Sequence, residues 1–349
     1  MTVSQKTGSR KAFWLRLAGT ILSLALLVYL LSEQGWAEIQ MALSQITIWQ
    51  FLLSLAAMML SRLAVCGRWH VLLRGAALRI PFSQTARITF AGLFASNFLP
   101  TTIGGDVIRL AGAVQLRFDS AVSTASLVVD RLVGMAGMVM ALPFGIPAFR
   151  AALDPSTLNG SITKLALAAT LPLPGRFEAF WNKWRAWVRG FFSRMLRALT
   201  LWVSHPRSLF EALGLTWLHM LCLYTSMQIL LVGMGEPMSF WLIAGLWSVV
   251  YFITLVPISI NGYGLQEISL AFIFTRVGGI STPAALTLAI LVRTTMMIAS
   301  LPGAFFVPGI MAARSETPKT TQNLTEDAPI AQSSPLQETD PQRKSPRAD

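Results

Sequence analysis

The chain has 349 residues, of which 54% are hydrophobic and only 13% are charged. Soluble domains average about 25% charged residues, and a soluble fold of this size could not bury so much apolar surface. Composition therefore excludes an ordinary soluble enzyme and favours a protein that has lipid as its solvent. The 28 Lys and Arg exceed the 16 Asp and Glu. Because these basic residues stand between apolar runs, the positive-inside rule and anionic lipid headgroups explain them, and we expect no nucleic-acid partner.

Apolar runs long enough to cross a membrane recur along most of the chain. A membrane-spanning helix needs about 20 mostly apolar residues. We predict spans at 13–32, 48–68, 120–142, 158–174, 209–233, 239–258 and 283–311. The first run follows a basic start, but it is too long for a secretory leader and no small-residue cleavage site follows it. The predicted fold class is an all-α, polytopic membrane bundle over residues 13–312, preceded by a short cytoplasmic N-terminus at 1–12.

Two further apolar stretches, 86–99 and 265–278, are too short to span comfortably. Each lies beside a break that contains Gly and Pro. Irregular backbone at membrane depth is tolerated only where protein or a water-filled cavity surrounds it. We therefore predict two re-entrant segments.

The distribution of Lys and Arg predicts the orientation. The loop 33–47 has no Lys or Arg and should face outward, whereas Arg68, Arg74, Arg79 and Arg87 mark a cytoplasmic return. Residues 175–207 hold seven basic residues and one acid, so this segment should also be cytoplasmic. Both termini are then predicted to lie in the cytoplasm, with the protein in the cytoplasmic (inner) membrane.

The segment 175–207 and the tail differ from the rest of the chain. In 175–207, aromatic residues recur at helical spacing with arginines between them, which is typical of an amphipathic helix in the membrane interface. An ordinary helix that caps the cytoplasmic end of the bundle would show the same pattern. The tail, 313–349, is rich in Pro, Ser, Thr and Gln and is predicted to be disordered.

The first of the two breaks is a candidate site loop. Pro100 removes a backbone donor and ends a helix, and Gly104 and Gly105 allow a tight turn. Thr101 and Thr102 can bond the freed backbone groups. Asp106 can cap the next helix, with Arg109 three residues on, on the same face. With Asn97 before the break, these polar residues form a candidate substrate-binding loop, although a capped loop with a surface ion pair is the alternative.

The second break repeats the pattern of the first. It contains Pro257, Asn261, Gly262, Gly264 and Glu267. In both loops a proline is followed by a hydroxyl residue, an isoleucine and a glycine at identical offsets. Interrupted segments at corresponding positions of two halves point to a transporter site. We therefore predict that the two loops meet near mid-membrane as an inverted pair, the first entering from the cytoplasm and the second from outside. This inversion requires an odd number of crossings between the loops, which 120–142, 158–174 and 209–233 supply if 239–258 only dips in and returns.

Ionisable residues inside apolar runs complete the candidate site. Asp130 and Arg131 follow the first loop by some thirty residues, and Arg293 follows the second. A charge at membrane depth is costly unless it faces a cavity or a partner, so these residues are functional candidates. Snorkelling at the interface is the alternative for Asp130 and Arg131. Arg62 and His219 are weaker cases, and His219 is interpreted as a packed, hydrogen-bonded residue.

Several fragments occur together in a familiar order. They are Arg68 to Leu73, Asn97 to Arg109, Asp130 to Gly134 and Pro257 to Glu267. Together they resemble the flippase-like family named for the transmembrane region of lysylphosphatidylglycerol synthase, over about residues 10 to 312. The family often has Arg before the Glu of the second loop, where this chain has Gln266. Only the polar tail follows, so we expect no lipid aminoacylation by this chain alone.

The residues and the resemblance together predict a protein that handles a polar lipid. A cavity lined by Arg109, Asp130, Arg131, Glu267 and Arg293 would shield a headgroup that cannot cross the apolar core. Its partners would be membrane lipids, with anionic headgroups favoured because arginine suits phosphate, and a lipid-synthesis enzyme. The alternative is a membrane-embedded transferase or accessory subunit of a glycolipid, hopanoid or aminoacyl-lipid pathway, with Asp106 or Glu267 as a base. No cofactor or metal is expected, because there is no P-loop and no Cys/His cluster.

Overall fold

The protein is described by a computed structural model that covers residues 36–98, 104–152, 202, 206–256 and 262–315, with isolated positions at 21, 25, 28 and 29. Over these residues the fold is all helical, without a strand. Short 3-10 helices occupy Leu142–Gly145 and Leu301–Phe305. The α-helices are α1 (Trp36–Ser44), α2 (Ile48–Gly75), α3 (Phe82–Phe98), α4 (Gly104–Gln115), α5 (Ser120–Ala141), α6 (Ile146–Ala152), α7 (Pro206–Gly233), α8 (Phe240–Thr254), α9 (Leu265–Arg276), α10 (Thr282–Ser300) and α11 (Val307–Ser315).

Four helical stretches are long and apolar enough to cross a membrane: Ile48–Gly75, Ser120–Ala152, Pro206–Gly233 and Thr282–Phe305. They confirm the predicted spans at 48–68, 120–142, 209–233 and 283–311. The predicted span at 239–258 is too long, because α8 has only 15 residues and a span needs about 20.

Some predicted segments cannot be compared with the structure. The spans at 13–32 and 158–174, the interfacial segment at 175–207 and the tail at 313–349 lie almost entirely outside the described residues.

Helices α2 and α5 begin at residues with good capping chemistry. At the start of α2, Thr47 accepts a hydrogen bond from the Gln50 backbone, and the Gln50 side chain accepts one from the Thr47 backbone. Asp119 accepts from Val122 N at 2.9 Å at the start of α5. These contacts satisfy amide groups that have no partner within the first helical turn.

Helices α2 and α7 lie side by side in antiparallel orientation. Near the start of α2, Ser54 shares a buried 2.7 Å hydrogen bond with Ser226, late in α7. At the other end, Gly75 faces Ser208, early in α7. The bundle therefore has two ends, which we call the Gly75 end and the Thr47 end.

Helix α5 runs in the same direction as α7. Its Ser126 accepts a hydrogen bond from Trp69, toward the Gly75 end. Its Met138 lies beside Tyr224, in the half of α7 toward the Thr47 end. Consequently α5 and α6 finish at the Thr47 end, whereas α7 starts at the Gly75 end. This separation is what the predicted crossing at 158–174 requires.

Helices α3 and α4 form a hairpin. The start of α3 and the last residues of α4 both lie at the Gly75 end of the bundle. Gly105 packs against Ser96 and Gly112 packs against Ile88, so the pair is antiparallel. Short connections join the hairpin to the end of α2 and to the start of α5.

Helices α8 and α9 form a second hairpin. The start of α8 and the last residues of α9 lie at the Thr47 end of the bundle. Gly278, just after α9, packs against Met238, just before α8. The Ser281 backbone N–H donates to Glu236 at 3.3 Å, close to the end of α7. The two hairpins thus enter the bundle from opposite ends. Their re-entry into a membrane and their origin as an inverted repeat stay predictions.

Large apolar side chains point outward over much of the bundle. Trp49, Phe210 and Phe305 are 77%, 73% and 86% exposed. Inside, buried apolar residues of α2, α5 and α7 to α10 form one continuous core. An apolar exterior around a packed interior is the arrangement expected of a protein that faces lipid.

Candidate functional site

A buried carboxylate holds three helices together at the centre of the site. Asp130, on α5, is 2% exposed. Its Oδ1 accepts from Arg68 Nε on α2 at 2.7 Å, and its Oδ2 accepts from Arg109 Nη1 on α4 at 3.0 Å. Both oxygens of this acid are therefore neutralised by arginines from other helices, which is what allows it to be buried.

A second acid extends this cluster. Asp106 lies in the first turn of α4, and its Oδ2 accepts from Arg131 Nε at 2.7 Å. Arg109 Nη1 lies 3.5 Å from Asp106 Oδ1, so Arg109 contacts both acids. The ion pairs connect Arg68, Asp130, Arg109, Asp106 and Arg131 into one network.

Aromatic and glycine contacts position Arg109 within the network. Its guanidinium carbon lies 4.4 Å from the centre of the Trp69 ring, within the range of a cation–π contact. The Trp69 indole N–H donates to Ser126 at 3.1 Å, which fixes the ring. A Cβ at Gly92 would lie 2.7 Å from Arg109 Cγ, so this position of α3 has room for no side chain.

The network lines a cavity of about 220 Å³ between α2, α3, α4, α5, α7 and α8. His219 contributes to the wall, and its Nδ1 shares a 2.6 Å hydrogen bond with Ser61. The charged residues that line the cavity are Arg62, Arg68, Asp106, Arg109, Asp130 and Arg131. Arg62 and His219 lie near the middle of 28-residue helices, so the cavity is far from either end of the bundle.

A separate buried ion pair lies where the second hairpin meets α10. Glu267 is 5% exposed, and its Oε1 accepts from Arg293 Nε at 2.5 Å. The Arg293 guanidinium carbon lies 4.8 Å from the centre of the Tyr263 ring. The Tyr263 hydroxyl donates to the backbone carbonyl of Asn97. Asn97 lies at the end of α3 and Tyr263 just before α9, so the two hairpins touch at their tips, where the two helices of each hairpin are joined.

Residues 16–303 match the family described as lysylphosphatidylglycerol synthase TM region. The chain belongs to this family. Comparison with curated proteins gave no match. Membership and the four apolar spans together establish a multi-pass membrane protein with a function related to membrane lipids.

The structure of this family member brings together most of the described residues among those predicted from the first loop and from the helix that carries Asp130 and Arg131. Asp106, Arg109, Asp130, Arg131 and Gly105 all line the cavity. Gly104 starts α4. The side chain of Asn97 donates to Ser300 Oγ at 3.0 Å, which anchors the tip of the first hairpin to α10.

The residues predicted from the second loop are placed differently. Glu267 and Arg293 pair with each other and do not line this cavity. Gly262 and Gly264 have φ of +71° and +75°, a backbone conformation that favours glycine and explains their place in the turn. Pro100, Thr101, Thr102, Pro257 and Asn261 lie outside the described residues.

The sequence pattern assigned Arg68 to a cytoplasmic return and not to the site, whereas the structure includes it in the ion-pair network. It is only 8% exposed and lies inside α2, which continues to Gly75. The apolar run Val71-Leu72-Leu73 after Arg68 is the sequence signal that the helix had not yet ended. Trp69 and Tyr263 also went unrecognised, because an aromatic residue in apolar sequence carries no sign of the arginine that lies over its ring.

Proposed function

We propose that the protein translocates a polar lipid between the two leaflets of the cytoplasmic membrane, with the headgroup passing through the charged cavity. The observation that carries this proposal is the network of arginines and aspartates in the interior of an otherwise apolar bundle. Charged groups at membrane depth are costly, and they mark the paths of substrates and ions. A cavity lined by them replaces part of the water that a headgroup loses on leaving the surface.

The two hairpins are proposed to be re-entrant and to enter from opposite sides of the membrane. Helices α3 and α4 have 17 and 12 residues, shorter than a span needs, which is about 20. Each hairpin begins and ends at the same end of the bundle, and the tips touch through Tyr263 and Asn97. Broken helices that meet inside a bundle are typical of transporter sites.

The Gly75 end of the bundle is proposed to be cytoplasmic, together with both termini. Gln115 donates to the Ile310 carbonyl at 2.5 Å, which places α11 at this end. Trp202 donates to the Leu72 carbonyl, so the end of the basic segment 175–207 is also here. Arginines at this end include Arg74, Arg79, Arg87, Arg117 and Arg207. Reporter fusions after residues 195 and 349 test the orientation, and an external signal at 195 would overturn it.

The ion pairs of the two candidate bases, Asp106 and Glu267, favour translocation over the transferase alternative. Asp106 is paired with Arg131 and Arg109, and Glu267 is paired with Arg293. The carboxylate oxygens that accept from arginine are therefore occupied and do not face a substrate as free acceptors.

A leaflet-resolved assay tests the proposal. The purified protein is reconstituted into vesicles that contain a lipid with a fluorescent headgroup, and dithionite reduces the label in the outer leaflet. In protein-free vesicles about half of the fluorescence is protected from dithionite, because half of the label lies in the inner leaflet. Translocation predicts that the protected fraction of the fluorescence falls below this half. Arg109→Gln should slow this loss by about tenfold, since it removes a charged contact from the cavity. Arg276→Gln, at an exposed position in the last turn of α9, is the matched control and should behave as wild type. Equal protection with and without protein would refute translocation.

A further inference from the structure

Arg62 is a cation in the cavity wall without an acidic partner among the described residues. Its Nη2 lies 3.5 Å from the sulfur of Met58, and its Nε is buried with no hydrogen-bond partner there. The other three arginines of the cavity each form an ion pair with Asp106 or Asp130. An arginine inside a membrane bundle is normally paired with an acid or with backbone carbonyls, so the described surroundings of Arg62 leave its donors open to an anion.

The charges around the cavity do not balance. Its described lining holds four arginines (Arg62, Arg68, Arg109 and Arg131) and two aspartates (Asp106 and Asp130), an excess of two positive charges. The neighbouring Glu267–Arg293 pair adds one charge of each sign and does not alter this excess. Arg109 also has an Nε and an Nη2 that no described group accepts from.

We propose that the translocated lipid carries a phosphate and no compensating ammonium group, and that Arg62 is the residue that recognises this phosphate. The inference rests on the proposed function and specifies its substrate class. Guanidinium groups bind phosphate oxygens through paired N–H donors, and the unpartnered donors of Arg62 and Arg109 line one cavity. A headgroup that carries an amine would bring a further cation into a cavity whose described lining already has an excess of positive charge. Binding of such a headgroup is therefore disfavoured.

Lipid binding tests the inference without depending on transport. The whole protein is placed in nanodiscs that contain equal amounts of phosphatidylglycerol, phosphatidylethanolamine and aminoacylated phosphatidylglycerol, and the retained lipid is identified by native mass spectrometry. Phosphatidylglycerol, with its net negative charge, should be enriched about tenfold over either amine-bearing lipid. Arg62→Gln should abolish the preference, Arg62→Lys should keep part of it, and Arg276→Gln should keep all of it.

The outcomes separate this inference from the proposed function. Equal retention of the three lipids by the wild-type protein would overturn the headgroup assignment, even if the vesicle assay showed translocation. Selective retention of phosphatidylglycerol without translocation would support recognition of a lipid phosphate by Arg62 and would refute only the proposed translocation. Free glycerol 3-phosphate distinguishes a lipid from a soluble ligand, because it lacks the acyl chains. If it displaced phosphatidylglycerol at equal concentration, the site would belong to a soluble phosphate and the lipid assignment would be wrong.

Discussion

Replacing Asp130 by Asn removes one negative charge from the centre of the buried network and changes little else. The side chain keeps its shape, and the amide oxygen can still accept a hydrogen bond from Arg68. The amide NH₂ group, however, then faces Arg109 Nη1, where the carboxylate oxygen now accepts at 3.0 Å. Both arginines are buried, so they would lose their shared counter-charge in a place that water reaches poorly.

The expected cost follows from this geometry. Breaking a buried ion pair by removing one partner destabilises proteins by about 3–5 kcal/mol, because a charge is left uncompensated. Asp130 serves two arginines, but Arg109 retains a 3.5 Å contact with Asp106, and Arg68 retains a 3.4 Å hydrogen bond to Thr216. We therefore expect the free energy of unfolding to fall by about 3 kcal/mol, the lower end of that range.

Unfolding in mixed detergent micelles, followed by tryptophan fluorescence, measures this loss. Asp119→Asn is the matched control, because Asp119 caps α5 with an exposed side chain and Asn caps a helix as well as Asp does. The control should change the free energy by less than about 0.5 kcal/mol. Adding Arg68→Gln to Asp130→Asn should recover part of the loss, since it removes one of the uncompensated charges. If Asp130→Asn cost no more than Asp119→Asn, the charge-compensation argument would be refuted.

Two further substitutions test the packing of the first hairpin and the contact between the hairpin tips. Gly105→Ala should destabilise the protein by about 1–3 kcal/mol, because the new Cβ would lie 2.6 Å from a backbone carbonyl of the facing helix. Gly214→Ala, where a Cβ would meet nothing within 4 Å, should instead stabilise α7 by up to about 1 kcal/mol, and equal effects at the two positions would contradict the described packing. Tyr263→Phe should cost about 0.5–1.5 kcal/mol through loss of its hydrogen bond to the Asn97 carbonyl, as measured in the same micelles. A cost of less than about 0.5 kcal/mol would argue against a contact between the tips.

Local sequence was sufficient for the membrane class and for most of the long helices. Apolar runs, capping residues and Pro/Gly breaks determine the conformation of the residues next to them. Their effects can therefore be predicted from the sequence alone. The four described spans and the short helices α3 and α9 follow from such signals. So does the contact between Asp106 and Arg109, because residues three apart share one face of a helix. The length of α8 was misjudged because hydrophobicity alone does not show where a helix turns back.

The partners of the buried charges could be known only from the folded chain. A charge inside an apolar run predicts that a group of opposite charge lies beside it in the fold. Helical periodicity does not show which distant helix supplies that group. Asp130 meets Arg68 and Arg109, and Arg131 meets Asp106, only because the first hairpin packs beside α2 and α5. The same packing places Arg62 in the cavity wall, where no acid among the described residues forms an ion pair with it. Composition predicted a membrane protein with charged residues inside apolar runs. The packing of the helices decided which of the described charges form ion pairs, because the partners come from helices far apart in the sequence.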